Sequence, residues 1–153
     1  MNYQAPRLLE SHHQLDGFDC GSAEQTEWLS RHARQSMAAH STRVLVVTPT
    51  DSHRVVAYYA WSMAQIDAAN APARLLKGAG RYPQPVALLA RLAVDRQHKG
   101  NGLGAGMVQD VLHRVVTISD DIGCRGLLVH AESDHARDFY QYLIPEFEQS
   151  PTD

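Results

Sequence analysis

The chain has 153 residues, 44% of them apolar and 20% charged, with a formal net charge of −3. That length suits one domain around one core, and the acidic total excludes a chain held to nucleic acid by its net charge. Two cysteines make no disulfide framework, no Cys/His spacing suits zinc, no signal peptide is visible and no apolar run reaches the ~18 residues of a membrane span. A soluble, cytoplasmic protein spanning residues 1–153 as a single domain, with no metal, is the expectation.

The charge is unevenly spread. Arg31, Arg34, Arg74, Lys77, Arg81, Arg91, Arg96 and Lys99 lie before residue 100, while Glu132, Asp134, Asp138, Glu146, Glu148 and Asp153 crowd the end. This pattern fits either a local basic face or scattered solvated charges.

In chain order, residues 3–9 suit a short edge strand. A loop holding Phe18-Asp19-Cys20-Gly21 follows. Ser22 with Gln25 three residues on matches a capping box, so a helix should run from there to about His40. Leu29, Ala33 and Met37 fall on its inner face. Trp28 sits beside Arg31 and Arg34, as an exposed contact or as a half-buried ring. Arg43 to Thr48 and Arg54 to Gln65 are β-rich runs separated by turn residues, hence a hairpin. Tyr58, Tyr59 and Trp61 either line a pocket or pack on the sheet. Pro72 to Lys77 suits a short helix, and Gly78 to Pro85 a loop.

Ala87 to Val94 then reads as an apolar strand. Leu103, Met107, Val108, Val111, Leu112, Val115 and Ile118 have helical spacing, and that helix should reach about Asp120. Arg125 to Ala131 is near-continuously apolar, the composition of a strand covered on both faces. Ser133 or Asp134 caps a last helix with Ala136, Phe139, Tyr140 and Leu143 on one side, stopped by Pro145. The order is an α/β chain with a mixed sheet: an early antiparallel hairpin, and two late parallel strands joined by a right-handed crossover.

Between the central strand and its helix stand Gly100, Gly102 and Gly104. Glycines there let backbone approach a ligand, and the helix N-terminus offers unpaired N–H groups and partial positive charge to an anion. The spacing fits neither the dinucleotide fingerprint nor the P-loop. It fits Gln97-x-x-Gly100-x-Gly102, and with Phe139-Tyr140 on the helix after the next strand it resembles motif A of the GNAT N-acetyltransferases. Phe18-Asp19-Cys20-Gly21, Trp28-Leu29-x-x-His32-Ala33-Arg34-Gln35, Gly80-Arg81-Tyr82-Pro83, Leu88 to Asp95 and Ala136 to Tyr140 resemble one branch of that superfamily. Its members are the acetyltransferase toxins of type II toxin–antitoxin modules.

The resemblance implies a GNAT fold with splayed parallel strands and acetyl-CoA as cosubstrate. The backbone of Leu92, Ala93 and Val94 would take the pantetheine arm. Gln97, His98, Lys99, Gly100, Asn101, Gly102, Leu103 and Gly104 would take the pyrophosphate. Lys99 or Arg96 either adds charge to the phosphates or is solvated turn charge. Tyr140 matches the family's general acid, whereas a lone helical tyrosine would more simply be core; Tyr142 faces elsewhere. His130 is a base or a packed residue, and water suffices if the acceptor is an α-amine.

The acceptor implied is the α-amino group of aminoacyl-tRNA, whose acetylation blocks translation. Arg31, Arg34, Arg74, Lys77, Arg81 and Arg91 are the candidate contacts to its backbone. The resemblance also implies a homodimer and an antitoxin with a ribbon-helix-helix end. The family's final strand has no counterpart before Asp153, which would leave an open sheet edge. Two other readings fit the residues: a GNAT acting on another amine, and an inactive GNAT fold serving as a binding module.

Overall fold

The computed structural model describes residues 2–67 and 82–147. Five strands share one sheet in the order β1-β2-β3-β4-β5. They are β1 (Arg7–Leu8), β2 (Arg43–Val47), β3 (Ala57–Ile66), β4 (Gln84–Val94) and β5 (Leu127–Val129). The helices are α1 (Ala23–Arg31), α2 (Ala33–Ala38), α3 (Leu103–Ile118) and α4 (Asp134–Leu143). Chain packing divides the molecule into two compact units: residues 1–62 with 89–111, and residues 63–88 with 112–153.

The first unit carries the hairpin. β2 pairs antiparallel with β3, with Leu45 opposite Tyr59 and Val46 opposite Tyr58, and β1 pairs antiparallel with β2. Its core gathers Leu9, Leu15, Phe18, Leu29, Ala33, Val44, Val46, Val55, Tyr58 and Ala93. Burial of a residue such as Leu29 contributes roughly 1.5–3 kcal/mol over leaving it in water. Tyr58 and Tyr59 are fully buried, so they are sheet aromatics. Each hydroxyl has a partner: Tyr58 donates to the Gln25 carbonyl at 2.6 Å and Tyr59 to Asp110 Oδ2 at 2.6 Å.

The expected single helix to His40 is two helices. His32, at φ −124° and ψ −20°, lies outside helical geometry and separates α1 from α2. α2 ends in a Schellman motif: the Ser41 N–H donates to the Ser36 carbonyl, and the His40 N–H to that of Met37. His40 occupies the left-handed position at φ 59°, normally glycine's place. The capping box is half made. Ser22 Oγ accepts the Gln25 N–H at 3.3 Å, but the Gln25 carboxamide oxygen accepts from Arg91 instead.

In the second unit, Ile66 and Val86 form a small core with Ala64 and Leu128 beside it. β4 starts earlier than expected, at Gln84, and takes in part of the anticipated loop. Arg125 donates its N–H to the Pro85 carbonyl and Ala87 donates to the Gly126 carbonyl. The bonds advance together along both segments, the pattern of a parallel pair. Proline is tolerated in the strand because its carbonyl is the group used. β5 corrects the sequence reading: it is shorter than Arg125 to Ala131 and only half-buried, not covered on both faces. The helix expected at Pro72 to Lys77 lies outside the described residues. α4 starts as expected, with Ser133 Oγ accepting the Ala136 N–H at 3.2 Å. Among the described residues no strand follows it.

Candidate active site

The turn between β4 and α3 is shaped by one carboxylate. Asp95 is 5% exposed. Its Oδ1 accepts the Gln97 N–H at 2.9 Å and so caps the short 3₁₀ turn Arg96–His98. Its Oδ2 accepts the Asp19 N–H at 3.1 Å. Asp19 reciprocates through its carbonyl, which takes the Arg96 N–H at 2.8 Å, while Arg96 Nη2 lies 3.0 Å from Asp19 Oδ2. Asp19 Oδ1 also accepts the Gly21 N–H, closing an Asx turn with Gly21 at φ 91°. The Phe18-Asp19-Cys20-Gly21 loop thus clamps the glycine turn from outside.

Past the 3₁₀ turn, Gly100 and Gly102 take φ values of 84° and 78°. Both lie in the left-handed region that disfavours any side chain. Among the described residues a Cβ at either position would meet nothing within 4 Å, so they leave the space over this backbone open. The Gly102 carbonyl accepts the Gly106 N–H, which makes Gly102 the residue before the helix proper. The first-turn N–H groups of α3, from Leu103 and Gly104 onward, have no helical acceptor and carry the positive end of a helix of 16 residues. Open space, two positive-φ glycines and unpaired donors together fit a diphosphate.

The remaining residues of that set are placed as follows. Leu92 and Val94 are half-buried and Ala93 is buried, at the end of β4. His98 Nδ1 lies 2.9 Å from the Tyr3 hydroxyl, and Asn101 Nδ2 donates to Tyr3 Oη and to the His98 carbonyl. Lys99 Nζ donates to the Cys20 carbonyl at 3.1 Å, leaving protons for an anion. Arg96 is held by Asp19. Sequence reasoning missed Asp95, Asp19 and Tyr3. Asp95 directly before the turn was a visible Asx signal; the other two are brought in by tertiary folding.

Tyr140 stands on α4 in the second unit, 7% exposed. Its ring packs edge-on against Phe139 and Phe147, at centroid distances of 5.5 and 6.4 Å. Burial raises its phenol pKa far above the ordinary value, and the Glu132 carboxylate raises it further. Among the described residues its hydroxyl has no hydrogen-bond partner, yet no fully buried side-chain oxygen is left unpaired, so Oη remains reachable. The arrangement keeps a neutral O–H available to a ligand. Tyr142, by contrast, is 85% exposed, and His130 is exposed rather than packed.

Among the described residues the basic side chains differ in their surroundings. Arg91 Nη1 donates to Glu24 Oε1 at 2.8 Å and Gln25 Oε1 at 2.7 Å, and its guanidinium lies 4.8 Å from the Trp28 ring centre. Trp28 is itself half-buried and stacked on Tyr58. Arg34 donates to the His13 carbonyl at 2.8 Å. Arg31 is exposed on α1. Arg74, Lys77 and Arg81 lie outside the described residues. A cleft of about 590 Å³ opens on α1 and α2, with Glu24, Glu27, Trp28, His32 and Arg91 among its lining. Among the described residues no cluster of His, Cys, Asp or Glu suits a metal ion.

A mixed sheet with a glycine turn opening onto a helix N-terminus fits an acyltransferase of the acetyl-CoA-binding kind. Residues 10–143 match the acetyltransferase (GNAT) family, and the chain belongs to it. It is 38% identical over 151 residues to a tRNA-acetylating toxin of Mycobacterium tuberculosis, covering 99% of this chain and 88% of that protein. It is 28% identical over 130 residues to a probable toxin TacT of Sinorhizobium fredii, covering 82% and 72%. A tyrosine-to-phenylalanine mutant of KacT superposes with a TM-score of 0.90 at 25% identity, over 98% of this chain and 89% of that one. AtaT complexed with acetyl-methionyl-tRNAfMet superposes at 0.85 with 26% identity, over 94% and 86%. The GNAT fold and the resemblance to the toxin branch therefore stand.

Proposed function

We propose that this chain is a toxin that transfers acetyl from acetyl-CoA to the α-amino group of aminoacyl-tRNA and so blocks translation. The observation that carries the reading is 38% identity, over 99% of the chain, with a relative named a tRNA-acetylating toxin. AtaTR has been solved bound with AcCoA, and AtaT complexed with acetyl-methionyl-tRNAfMet. The open turn with its two positive-φ glycines supports the cofactor half.

Acetyl-CoA supplies an activated acyl group as a thioester. On this reading the backbone of Leu92, Ala93 and Val94 aligns the pantetheine arm. The N–H groups from Gln97 to Gly104 take the pyrophosphate, with Lys99 adding a charge-assisted bond. The amine nitrogen bonds to the acyl carbon, the carbon–sulfur bond breaks, and the departing sulfur takes the Tyr140 proton. The amine gives its own proton to water, and water returns a proton to the Tyr140 phenolate. An α-amine has a pKa near ~8, so a useful fraction is neutral at neutral pH and no base is required. Because the Tyr140 phenol is held strongly neutral, it stays protonated wherever the amine is nucleophilic.

Arg31 is the described candidate for the tRNA backbone, joined by Arg74, Lys77 and Arg81. Arg34 and Arg91 already use part of their donors on the His13 carbonyl and on Glu24 and Gln25. The rest of the reading is one GNAT domain, a homodimer, a cytoplasmic location and a ribbon-helix-helix antitoxin partner. Of these, only the antitoxin partner has support in solved relatives: AtaT has been solved with the C-terminus of the antitoxin AtaR. Among the described residues no helix is long and apolar enough to cross a membrane.

The test is incubation with labelled acetyl-CoA and a pool of charged tRNAs, beside Tyr140→Phe. Label on aminoacyl-tRNA that is lost in the variant is expected. Cofactor binding with label on a different amine, or on none, overturns the acceptor assignment.

A further inference from the structure

The glycine turn is tied to a residue far from it in sequence, and the hydrogen bonds there can be assigned proton by proton. Asn101 Nδ2 carries two protons and no acceptor capacity. One proton goes to the His98 carbonyl at 2.9 Å and the other to Tyr3 Oη at 3.2 Å. The Tyr3 hydroxyl is therefore an acceptor toward Asn101, and its single proton can go to His98 Nδ1, 2.9 Å away, when the imidazole is the Nε2–H tautomer. A neutral imidazole whose Nδ1 accepts carries its proton on Nε2. Among the described residues Nε2 has no hydrogen-bond partner, although the ring is half-buried.

Tyr3 is well placed to impose this. Its ring meets the His98 ring edge-on at 5.8 Å, which restricts both. Its backbone is held on both sides: Tyr3 bridges antiparallel to Pro49, the Gln4 N–H donates to the Thr48 carbonyl at 2.8 Å, and the Thr50 N–H donates to the Asn2 carbonyl at 3.1 Å. The turn it reaches needs outside support, because Gly100 and Gly102 on either side of Asn101 are the most conformationally free residues available. The Asp19 clamp holds the front of the turn at Asp95 and Arg96. The Tyr3 contact holds its far end at His98 and Asn101.

We propose that Tyr3 is a positioning residue for the acetyl-CoA site. It orders the far end of the glycine turn and fixes His98 with Nε2–H outward, which makes that N–H a donor to a cofactor phosphate. The inference rests on the reading of this turn as the acetyl-CoA site. It adds to the backbone donors one neutral side-chain donor whose direction is set by a residue outside the motif. Tyr3 acts through His98 and does not touch the cofactor.

The experiment uses the full chain with Tyr3→Phe, His98→Ala, His98→Gln and the Tyr3→Phe/His98→Ala double variant. Acetyl-CoA affinity is measured by calorimetry, and the imidazole tautomer by nitrogen NMR of labelled histidine. Tyr3→Phe keeps the ring contact and loses only the hydroxyl. It is expected to weaken acetyl-CoA about five- to tenfold, the worth of one hydrogen bond. It should also convert His98 from a single Nε2–H tautomer to a mixture. The double variant should lose clearly less than the sum of the two single losses, since only the bond to Asn101 is independent of His98, and His98→Gln, whose amide N–H stands in for Nε2–H, should recover most of the affinity.

Unchanged affinity in Tyr3→Phe, an Nδ1–H tautomer in the parent chain, or additive losses in the double variant would each overturn the proposal. A parent chain that does not bind acetyl-CoA at all would instead defeat the cofactor reading. The tautomer measurement separates the two failures, because it needs no cofactor. Thermal melting of Tyr3→Phe is expected to be two-state, and a non-cooperative melt would assign any lost affinity to unfolding and overturn the positioning role.

Discussion

Asp95 Oδ2 accepts the Asp19 backbone N–H at 3.1 Å, across a separation of 76 residues. The same carboxylate caps the Arg96–His98 turn through Oδ1. One buried side chain therefore fixes both the start of the glycine turn and the loop that leads into α1. Asp95→Ala removes two hydrogen bonds to a charged acceptor and leaves two backbone donors without it. It should cost roughly 2–4 kcal/mol of stability, with weaker acetyl-CoA binding. Asp95→Asn keeps one acceptor oxygen and should lose about half as much. Urea unfolding midpoints at a constant slope check both values, and equal losses for the two variants would refute the double-cap description.

Gly102 tests the turn from the other side. At φ 78° any side chain is strained, while the space around a new Cβ is empty. Gly102→Ala should therefore cost about 1–2 kcal/mol from the backbone alone, with no added clash within the protein. The new methyl would stand in the space assigned to the diphosphate, so acetyl-CoA affinity should fall by more than the stability loss accounts for. Calorimetric titration well below the melting temperature separates the two effects. Undiminished affinity would remove this stretch of backbone from the cofactor site.

The glycine turn, the hairpin and the Ser133 cap were legible because each is a local requirement: positive φ, strand alternation, an oxygen before a helix. The break at His32 was not legible, since Leu29, Ala33 and Met37 keep helical spacing straight through it. Nor was the fate of Arg91. Its neighbours in sequence are apolar strand residues, and only folding brings it to Glu24, Gln25 and Trp28. Tyr3 and Asp19 were invisible for the same reason: what they do depends on partners that lie beyond any local pattern. Tyr140 was singled out through its Phe-Tyr context, and the structure adds what context could not, a buried phenol with a reachable hydroxyl.

That phenol carries a pH signature. Burial, and then Glu132, raise the Tyr140 pKa above its unfolded value of about 10. Between the unfolded and folded values the folded state holds the extra proton, so raising pH favours unfolding. The contribution is intact below pH ~10 and is lost as pH climbs above it. Comparing chemical unfolding of the parent chain and Tyr140→Phe from pH 8 to 11 should show a steeper alkaline decline in the parent. Glu132→Gln removes the smaller of the two causes and should flatten that decline slightly. Parallel curves for parent and Tyr140→Phe would mean the phenol is not buried in solution.

Arg31 and Arg91 should part company although both lie in the basic half of the chain. Arg31 is exposed on α1. Arg91 is paired with Glu24 and Gln25 over the Trp28 ring. Arg91→Ala should therefore act first on stability, by about 1 kcal/mol, since it loses a partly exposed ion pair and a cation–π contact. Arg31→Glu should leave stability within about 0.5 kcal/mol of the parent. It should raise KM for charged tRNA several-fold, with a shallower dependence of binding on salt because a phosphate contact is gone. KM for acetyl-CoA serves as the internal control and should not move in Arg31→Glu. If both variants weakened tRNA equally at equal stability, Arg91 would contact the tRNA too, with the donors that Glu24 and Gln25 leave unused. If Arg31→Glu changed neither KM nor the salt slope, the tRNA path would lie away from this face of α1.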